Sequence, residues 1–383
     1  MKHSIKRVLL LSFILNIIFC HAKIKTSDNR FKSTNLNSSQ HYIKVALLLD
    51  TSNSMDGLID QAKAQLWDIV NELSYAKCGS AKPNLQIALY EYGNDGLNSQ
   101  EGFIRQVLPF SEDLDEISKE LFSLTTNGGN EYCGHVIQTA LNQLNWGKNP
   151  EDLKLIFIAG NEPFTQGKVN YKDAATNANE KDVTVNTIFC GDYNQGISSY
   201  WKDGALLANG DYMAINHNQK TVHIVSPYDD EILILNQKLN KTYVIYGTKG
   251  KEKLALQAEQ DSNASNYSKA NAVKRSVSKS SHFYKNESWD LVDAVELEEV
   301  VVQALTPGIL PEELKGKSNS EIEAYLTHKG KERKAIQNQI NELNQKRIQY
   351  VLKQQREKSN ELENAMVTAI KSQAEKKNYK WNK

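Results

Sequence analysis

The sequence predicts an α/β fold, a doubly wound and mostly parallel sheet with helices on both faces, followed by an α-helical C-terminal region. Three observations carry that expectation. Apolar runs of strand length recur through the first half, separated by helix-length segments with apolar residues every three or four positions. Segments of ten or more residues between strands are the crossovers that parallel pairing requires. All seven prolines lie at or before Pro311, so the last 72 residues lack the strongest helix breaker.

The elements follow in order. Ile43–Leu49 is a continuous apolar run, as a strand buried on both faces demands, and it ends in Asp50. A helix over 56–73 places Leu58, Ala62, Leu66, Ile69, Val70 and Leu73 on one face. Strands 85–90 and 103–108 are joined through Gly93-Asn94-Asp95-Gly96, short enough for a hairpin, so one edge strand is antiparallel. Helix 112–122 opens with Glu112 and Asp113, where the helix dipole favours acids. A glycine-containing loop at 125–131 precedes helix 132–145. Strand 154–159, a helix near 168–180, strand 183–189, helix 197–208 and strand 211–215 complete the alternation. Ligands of such sheets bind outside the carboxyl ends of the strands. A site is therefore expected around Asp50, the 125–131 loop, Gly160 and the neighbours of Cys190.

Beyond about residue 226 the character changes. Residues 231–305 are helix-prone and polar, and the Ser/Lys/Asn-rich interval 261–286 is expected to be a mobile loop. Residues 331–378 should form one or two long helices. Their seam, Ile336, Ile340, Leu343, Val351, Leu362, Met366 and Ile370, is broken by the charged run 353–361. A helix pair folded back on the chain fits this better than a continuous coiled coil. The expected division is a signal peptide at 1–22, a disordered linker at 23–41, the α/β domain at 42–225, a helical or irregular region at 226–330 and a long helical segment at 331–383.

Composition bounds function. The 383 residues carry 46 basic against 46 acidic side chains, which excludes an evident nucleic-acid binder. The balance hides a split, because residues 331–383 hold 13 Lys/Arg against 6 Asp/Glu. A solvated face is the expectation there, and contact with an anionic surface the lesser alternative. Lys2, Lys6 and Arg7, then apolar Val8–Phe19 and Cys20-His21-Ala22, have the order of an export signal. A periplasmic or extracellular location follows, with a lipid anchor at Cys20 or an uncleaved anchor ranked behind. No later run is long and apolar enough for a transmembrane helix. An oxidising compartment favours a disulfide, and Cys133 and Cys190, both at the carboxyl edge of the sheet, are the candidate pair. Three buried thiols are the alternative.

The turn leaving the first strand reads Asp50-Thr51-Ser52-Asn53-Ser54, a D-x-S-x-S pattern between a buried strand and an amphipathic helix. An Asp/Ser helix cap is the plain reading of such a turn. A carboxylate and two hydroxyls on a tight turn also supply oxygens to a hard divalent cation without filling its coordination sphere. With that motif in that setting, residues 42–225 resemble a von Willebrand factor A domain. The resemblance implies a metal-ion-dependent adhesion site with Asp50, Ser52 and Ser54 as ligands. It also implies a bound Mg²⁺ or Mn²⁺, with Ca²⁺ as an alternative, and a protein partner that offers an acidic side chain.

Two departures from the family pattern stand out. Where the family has threonine after a Gly-Gly pair, Gly128-Gly129 is followed by Asn130-Glu131, which leaves Glu131 or Thr126 to substitute. Where the family ends its strand in Thr-Asp-Gly, this chain has Ala159-Gly160-Asn161-Glu162-Pro163, so the acidic position is Gly160. Glu162 either turns inward as a ligand or stands in solvent ahead of Pro163. The cation should be held more weakly for that loss.

The leading functional expectation is a non-enzymatic exported binding protein acting in cell-envelope adhesion or assembly. An alternative is a scaffold or oligomerisation protein working through its C-terminal helices. A thiol-dependent enzyme ranks lower, because Cys133 and His135 point about 200° apart on a helix. Walker, G-x-S-x-G and H-E-x-x-H motifs are also lacking.

Overall fold

The computed structural model describes residues 40–219, 223–354 and 361–381. The export signal, the possible anchor at Cys20 and nearly all of the expected linker lie outside those residues.

Nine residues form β1 (Tyr42–Asp50), and their side chains alternate between two separate cores. Val45, Leu47 and Leu49 face one side of the sheet; Ala46 and Leu48 face the other. The neighbours are β3 (Asn84–Tyr92) and β5 (Leu153–Gly160), both parallel to β1. Outside them lie β4 (Ile104–Ser111), antiparallel to β3, and then β6 (Thr184–Cys190) and β7 (Tyr212–Ile215), parallel to β5. The order is β4-β3-β1-β5-β6-β7, a mostly parallel sheet with the one antiparallel edge that the short turn at 93–96 implied. Burial on both faces explains why β1 and β5 read as unbroken apolar runs.

One face carries α3 (Cys133–Gln143), α4 (Tyr171–Glu180) and α6 (Trp201–Leu207) over a core containing Phe164, Phe189 and Trp201. The other carries α1 (Asp56–Leu73) and α2 (Leu114–Ser123). Asp113 caps α2 by accepting from the Asp115 and Glu116 N–H groups, each at 3.0 Å. The single helix expected over 197–208 is instead two short ones, α5 (Tyr193–Ser198) and α6. Between them Tyr200 takes a left-handed conformation, φ +71°, which no periodicity signals.

The helix that completes the second face comes from far along the chain. After β7 come α7 (Asp229–Asn240), α8 (Gly250–Tyr267), α9 (Lys269–Ser278), α10 (Leu291–Glu296) and the 36-residue α11 (Asn319–Gln354). Only then does α12 (Glu361–Glu375) return to pack on α1 and on the sheet beside β5 and β7. Its Leu362, Met366, Ala369 and Ile370 share a core with Leu47 and Phe157. The last strand, β8 (Tyr379–Trp381), pairs antiparallel with β2 (Ala76–Cys78), directly after α1.

The intervening helices have cores of their own. Ile232, Leu235 and Leu239 meet Val273, Val277, Ile336, Ile340 and Leu343, so the apolar seam of α11 is spent on α7 and α9. Ser318 opens α11 with a capping box: its N–H donates to Glu321 Oε2 at 2.8 Å and its hydroxyl accepts from the Glu321 N–H at 3.4 Å. The interval 261–286 is not a loop: it contributes the end of α8 and all of α9. Its polar residues are buried because they neutralise one another. Asp261 accepts from Arg275 Nε at 2.7 Å and from Lys279 Nζ at 2.9 Å, and Arg275 also pairs with Asp115 of α2 at 2.8 Å. Composition alone reads such a stretch as solvated; the long-range charge partners make it core.

Candidate functional site

The carboxyl end of the sheet is where β1 delivers Asp50, and three loops are tied together there by backbone hydrogen bonds. Thr51 N–H donates to the Tyr92 carbonyl at 2.8 Å, Asn127 N–H to that of Thr51 at 2.9 Å, and Asp95 N–H to that of Gly128 at 2.6 Å. Asp50 is fully buried, and its Oδ1 accepts from the Ser52 N–H at 2.7 Å, which fixes the turn. Gly93, at φ +78°, has to be glycine: a Cβ there would lie 2.7 Å from Glu131 Cγ and 2.8 Å from Asp50 Oδ1.

Glu131, 3% exposed, turns inward from the 125–131 loop, and its carboxyl group shares a hydrogen bond with that of Asp50. Beyond one another, Asp50 Oδ2 and Glu131 Oε2 find no hydrogen-bond donor among the described residues. Two buried carboxylates in contact cannot both ionise. Burial, then the bond to Asp50 and that residue's charge, push Glu131 up to about 9, and burial pushes Asp50 up as well. One proton is therefore held between them at neutral pH.

The hydroxyls complete the cluster. Ser52 Oγ and Ser54 Oγ lie 3.3 Å apart, and Asn161 Nδ2 donates to Ser54 Oγ at 3.2 Å. Asn161 Oδ1 is buried without a hydrogen-bond partner. Among the described residues no three His, Cys, Asp or Glu side chains come together as a metal cage. The donor set that does converge is two carboxyl groups and two hydroxyls, with unused oxygens on both acids. That is a set a hard cation accepts, and a cation would take over from the shared proton.

The other expected residues sit apart from this pair. The Thr126 hydroxyl donates to Asp56 at the start of α1. Glu162 Oε2 accepts from Gln166 Nε2 at 2.9 Å, and its charge adds to the upward push on both buried acids. At Gly160, a Cβ would fall 2.5 Å from Tyr92 Oη and 3.1 Å from Asp50 Oδ2. The volume in which an acid at 160 would begin is thus occupied by the Tyr92 hydroxyl, which donates to the Ala159 carbonyl at 2.9 Å.

The expected Cys133–Cys190 bridge is absent, and both residues are free thiols, as is Cys78. The reason is topological. Cys133 packs in the core on one face of the sheet and Cys190 in the core on the other. Burial, together with the Glu131 carboxylate, holds the Cys133 thiol well above its ordinary pKa, the opposite of an activated nucleophile.

Sequence reasoning missed Tyr92, Asn161 and the surface beside them. Trp201 Nε1 donates to the Glu162 carbonyl at 2.8 Å and Phe164 N–H to that of Ser199 at 2.9 Å, which bind the loop after β5 to the α5–α6 turn. Tyr200 on that turn and Tyr193 at the start of α5 are each 49% exposed. Tyr193 and Tyr200, two tyrosines in eight residues, were the available signal.

Residues 44–197 match the family model for the von Willebrand factor type A domain. No curated protein matches the chain. Among solved structures the chain is similar to the conserved hypothetical protein BatB from Bacteroides thetaiotaomicron. Identity there is 17%, over 45% of this chain and 90% of that one, with a TM-score of 0.35. It is similar to the SpRpn10 VWA domain at 18% identity, over 45% and 87%, with a TM-score of 0.34. It is also similar to the pilus adhesin SpaC from Lactobacillus rhamnosus GG in its open conformation, at 12% identity, over 47% and 28%, with a TM-score of 0.36.

Proposed function

We propose that this chain, whose residues 44–197 form a von Willebrand factor type A domain, is an exported, non-enzymatic binding protein that captures an acidic side chain of a protein partner at the carboxyl end of its sheet. The observation that carries this reading is the buried Asp50–Glu131 pair with unused oxygens beside Ser52 and Ser54. A divalent cation, Mg²⁺ or Mn²⁺, would be held by Asp50, Glu131, Ser52 and Ser54, and would supply a positive centre for the partner's carboxylate. Glu131 would take the part that Gly160 cannot, giving the site its second acid from a different loop.

Several features support a binding role over catalysis. Cys133 is fully buried and protonated, so it offers no nucleophile. The exposed Tyr193 and Tyr200, on the α5–α6 segment that is tied to the loop after β5, are the amphipathic side chains that protein contacts favour. Export is supported by the basic and then apolar order of residues 2–19. Among the described residues no helix is long and apolar enough to cross a membrane. An envelope role in adhesion or assembly is the setting that joins these features.

Calorimetric titration of the mature chain with Mn²⁺ tests the reading. Saturable binding that Asp50→Ala abolishes is expected; no binding by the wild type would overturn the cation's part. Capture of partners from envelope extracts with and without chelator tests the rest, and identical capture in both would count against it.

A further inference from the structure

Three of the inserted helices bring an amine, a carboxamide and a carboxylate into mutual contact. Lys279 stands just past the end of α9, Asn240 is the last residue of α7, and Asp261 lies within α8. Lys279 Nζ donates to Asn240 Oδ1 at 2.5 Å and to Asp261 Oδ2 at 2.9 Å. Asn240 Nδ2 donates to that same Asp261 oxygen at 2.9 Å. One carboxylate oxygen therefore touches both nitrogens. The orientation of the amide is fixed, because turning it over would set Asn240 Nδ2 against the amine, donor to donor. Arg275 Nε occupies the other oxygen, Asp261 Oδ1, at 2.7 Å. Gln257 Nε2 lies 2.8 Å from Asp261 Oδ2 and 3.4 Å from Asn240 Oδ1.

An ion pair accounts for the contact of Lys279 with Asp261. The carboxamide against the same amine adds an electrophile to a nucleophile and a base. With a carbonyl bond of ~1.23 Å, Lys279 Nζ stands at most ~3.7 Å from Asn240 Cγ, near the ~3–3.5 Å at which an attack begins. The Lys279 side chain is fully buried, and that burial pushes its pKa down to about 8. Roughly a tenth of the chains thus carry a neutral amine at pH 7. Lys279 and Arg275 hold Asp261 well below the usual carboxylate range, so it is ionised and free to accept a proton. A reaction that happens once per chain needs no fast turnover, and three helices hold its parties together for the life of the fold.

We propose that Lys279 and Asn240 join in an intramolecular isopeptide bond, with Asp261 as the group that carries the proton. The lone pair of Lys279 Nζ attacks Asn240 Cγ, and Asp261 Oδ2 takes a proton from the amine. Negative charge gathers on Asn240 Oδ1, on which the Gln257 amide donor bears. The intermediate collapses by breaking the Cγ–Nδ2 bond, and Asp261 returns the proton to Nδ2, which leaves as ammonia. One amide replaces another, so the step consumes no oxidant and no co-reactant. The product ties the end of α7 to the end of α9. It restrains the unfolded chain as a disulfide does, in a molecule whose described cysteines are all free thiols. The site is separate from the sheet-top acids and does not depend on the reading of them.

Mass spectrometry of the full chain tests the bond, first on the intact denatured protein and then on its tryptic digest, after the folded protein has been held at pH 8. Asn240→Ala removes the acyl group and keeps the Lys279–Asp261 pair, and alanine suits the end of a helix. Wild type should fall short of its sequence mass by one ammonia. Its digest should contain peptide 239–241 joined to 276–285, uncut after Lys279, at their summed mass less one ammonia. Asn240→Ala should show neither the deficit nor the joined peptide. Wild type that yields these peptides separately would overturn the proposal, as would an ammonia loss that maps to another residue or persists in Asn240→Ala. The wild-type digest decides the matter even where the variant fails to fold.

Discussion

The carboxyl groups of Asp50, at the end of β1, and Glu131, from the 125–131 loop, meet in the interior and share a proton at the carboxyl end of the sheet. A cation at this position would have to displace that proton. Titration with Mn²⁺ at pH 7 is expected to release about one proton per ion. Calorimetry in buffers of different ionisation enthalpy reads the number directly. Glu131→Gln should weaken binding at least tenfold, and a cation that binds with no proton release would contradict the shared-proton geometry.

Without metal the same pair costs stability. A carboxyl group whose folded pKa is raised to about 9 keeps a proton that the unfolded chain gives up near 4.5. The folded state therefore binds more protons across that window, and stability falls as pH rises through it. In chelator, Glu131→Gln should melt higher than wild type at pH 8 and show a flatter dependence between pH 5 and 9. Each kcal/mol recovered corresponds to about 2–4 °C in a domain of this size. Parallel melting curves for the two proteins would refute the assignment.

Gly160 and Tyr92 form a coupled pair. Gly160→Asp places a Cβ 2.5 Å from Tyr92 Oη and should destabilise by about 1–3 kcal/mol in urea unfolding. Tyr92→Phe removes the oxygen in the way. The double variant should therefore lose less than the two single losses together, and strict additivity would show that the hydroxyl is not what excludes an acid at 160.

Asp261 holds two buried cations, Arg275 and Lys279, and the first of them joins the inserted helices to α2 through Asp115. Burial alone would raise its pKa, yet Lys279 and Arg275 hold it well below the usual carboxylate range. Asp261→Asn leaves Lys279 without its carboxylate and Arg275 with Asp115 alone, and should cost about 3–5 kcal/mol near neutral pH. The depressed pKa means that the wild-type contribution is present above about pH 4 and is lost as pH falls below it. The difference between the two proteins should shrink in acid, and a pH-independent difference would assign it to packing instead.

Ile370 of α12 is fully buried in the core it shares with β1 and β5. Ile370→Ala should cost about 2–5 kcal/mol. A chain ending near residue 225 should bind hydrophobic dyes, because it lacks the helix that covers that face of the sheet. A well-folded, dye-silent fragment would show that α12 is dispensable.

Strand and helix positions in the first half were legible because their signals are local. The run Ile43–Leu49 shows burial on both faces by itself, and helix 56–73 shows its periodicity by itself; the structure bounds that helix at Asp56 and Leu73. Asp50, Ser52 and Ser54 were legible for the same reason, since a turn motif is read within five residues. Even the antiparallel edge followed from the length of one loop.

What the sequence could not decide is what meets across distance. It left Glu131 and Thr126 as equal substitutes, and only the packing turned Glu131 toward Asp50 while Thr126 went to Asp56. It paired Cys133 with Cys190 from their common sheet edge, but opposite faces of the sheet keep them apart. It read 261–286 as a mobile loop, because burying Arg275 and Lys279 is unfavourable until Asp115 and Asp261 are brought to them. Periodicity and turn chemistry are properties of neighbours along the chain. Charge neutralisation, shared protons and the return of α12 to the sheet are properties of neighbours in space, and only the folded molecule supplies those.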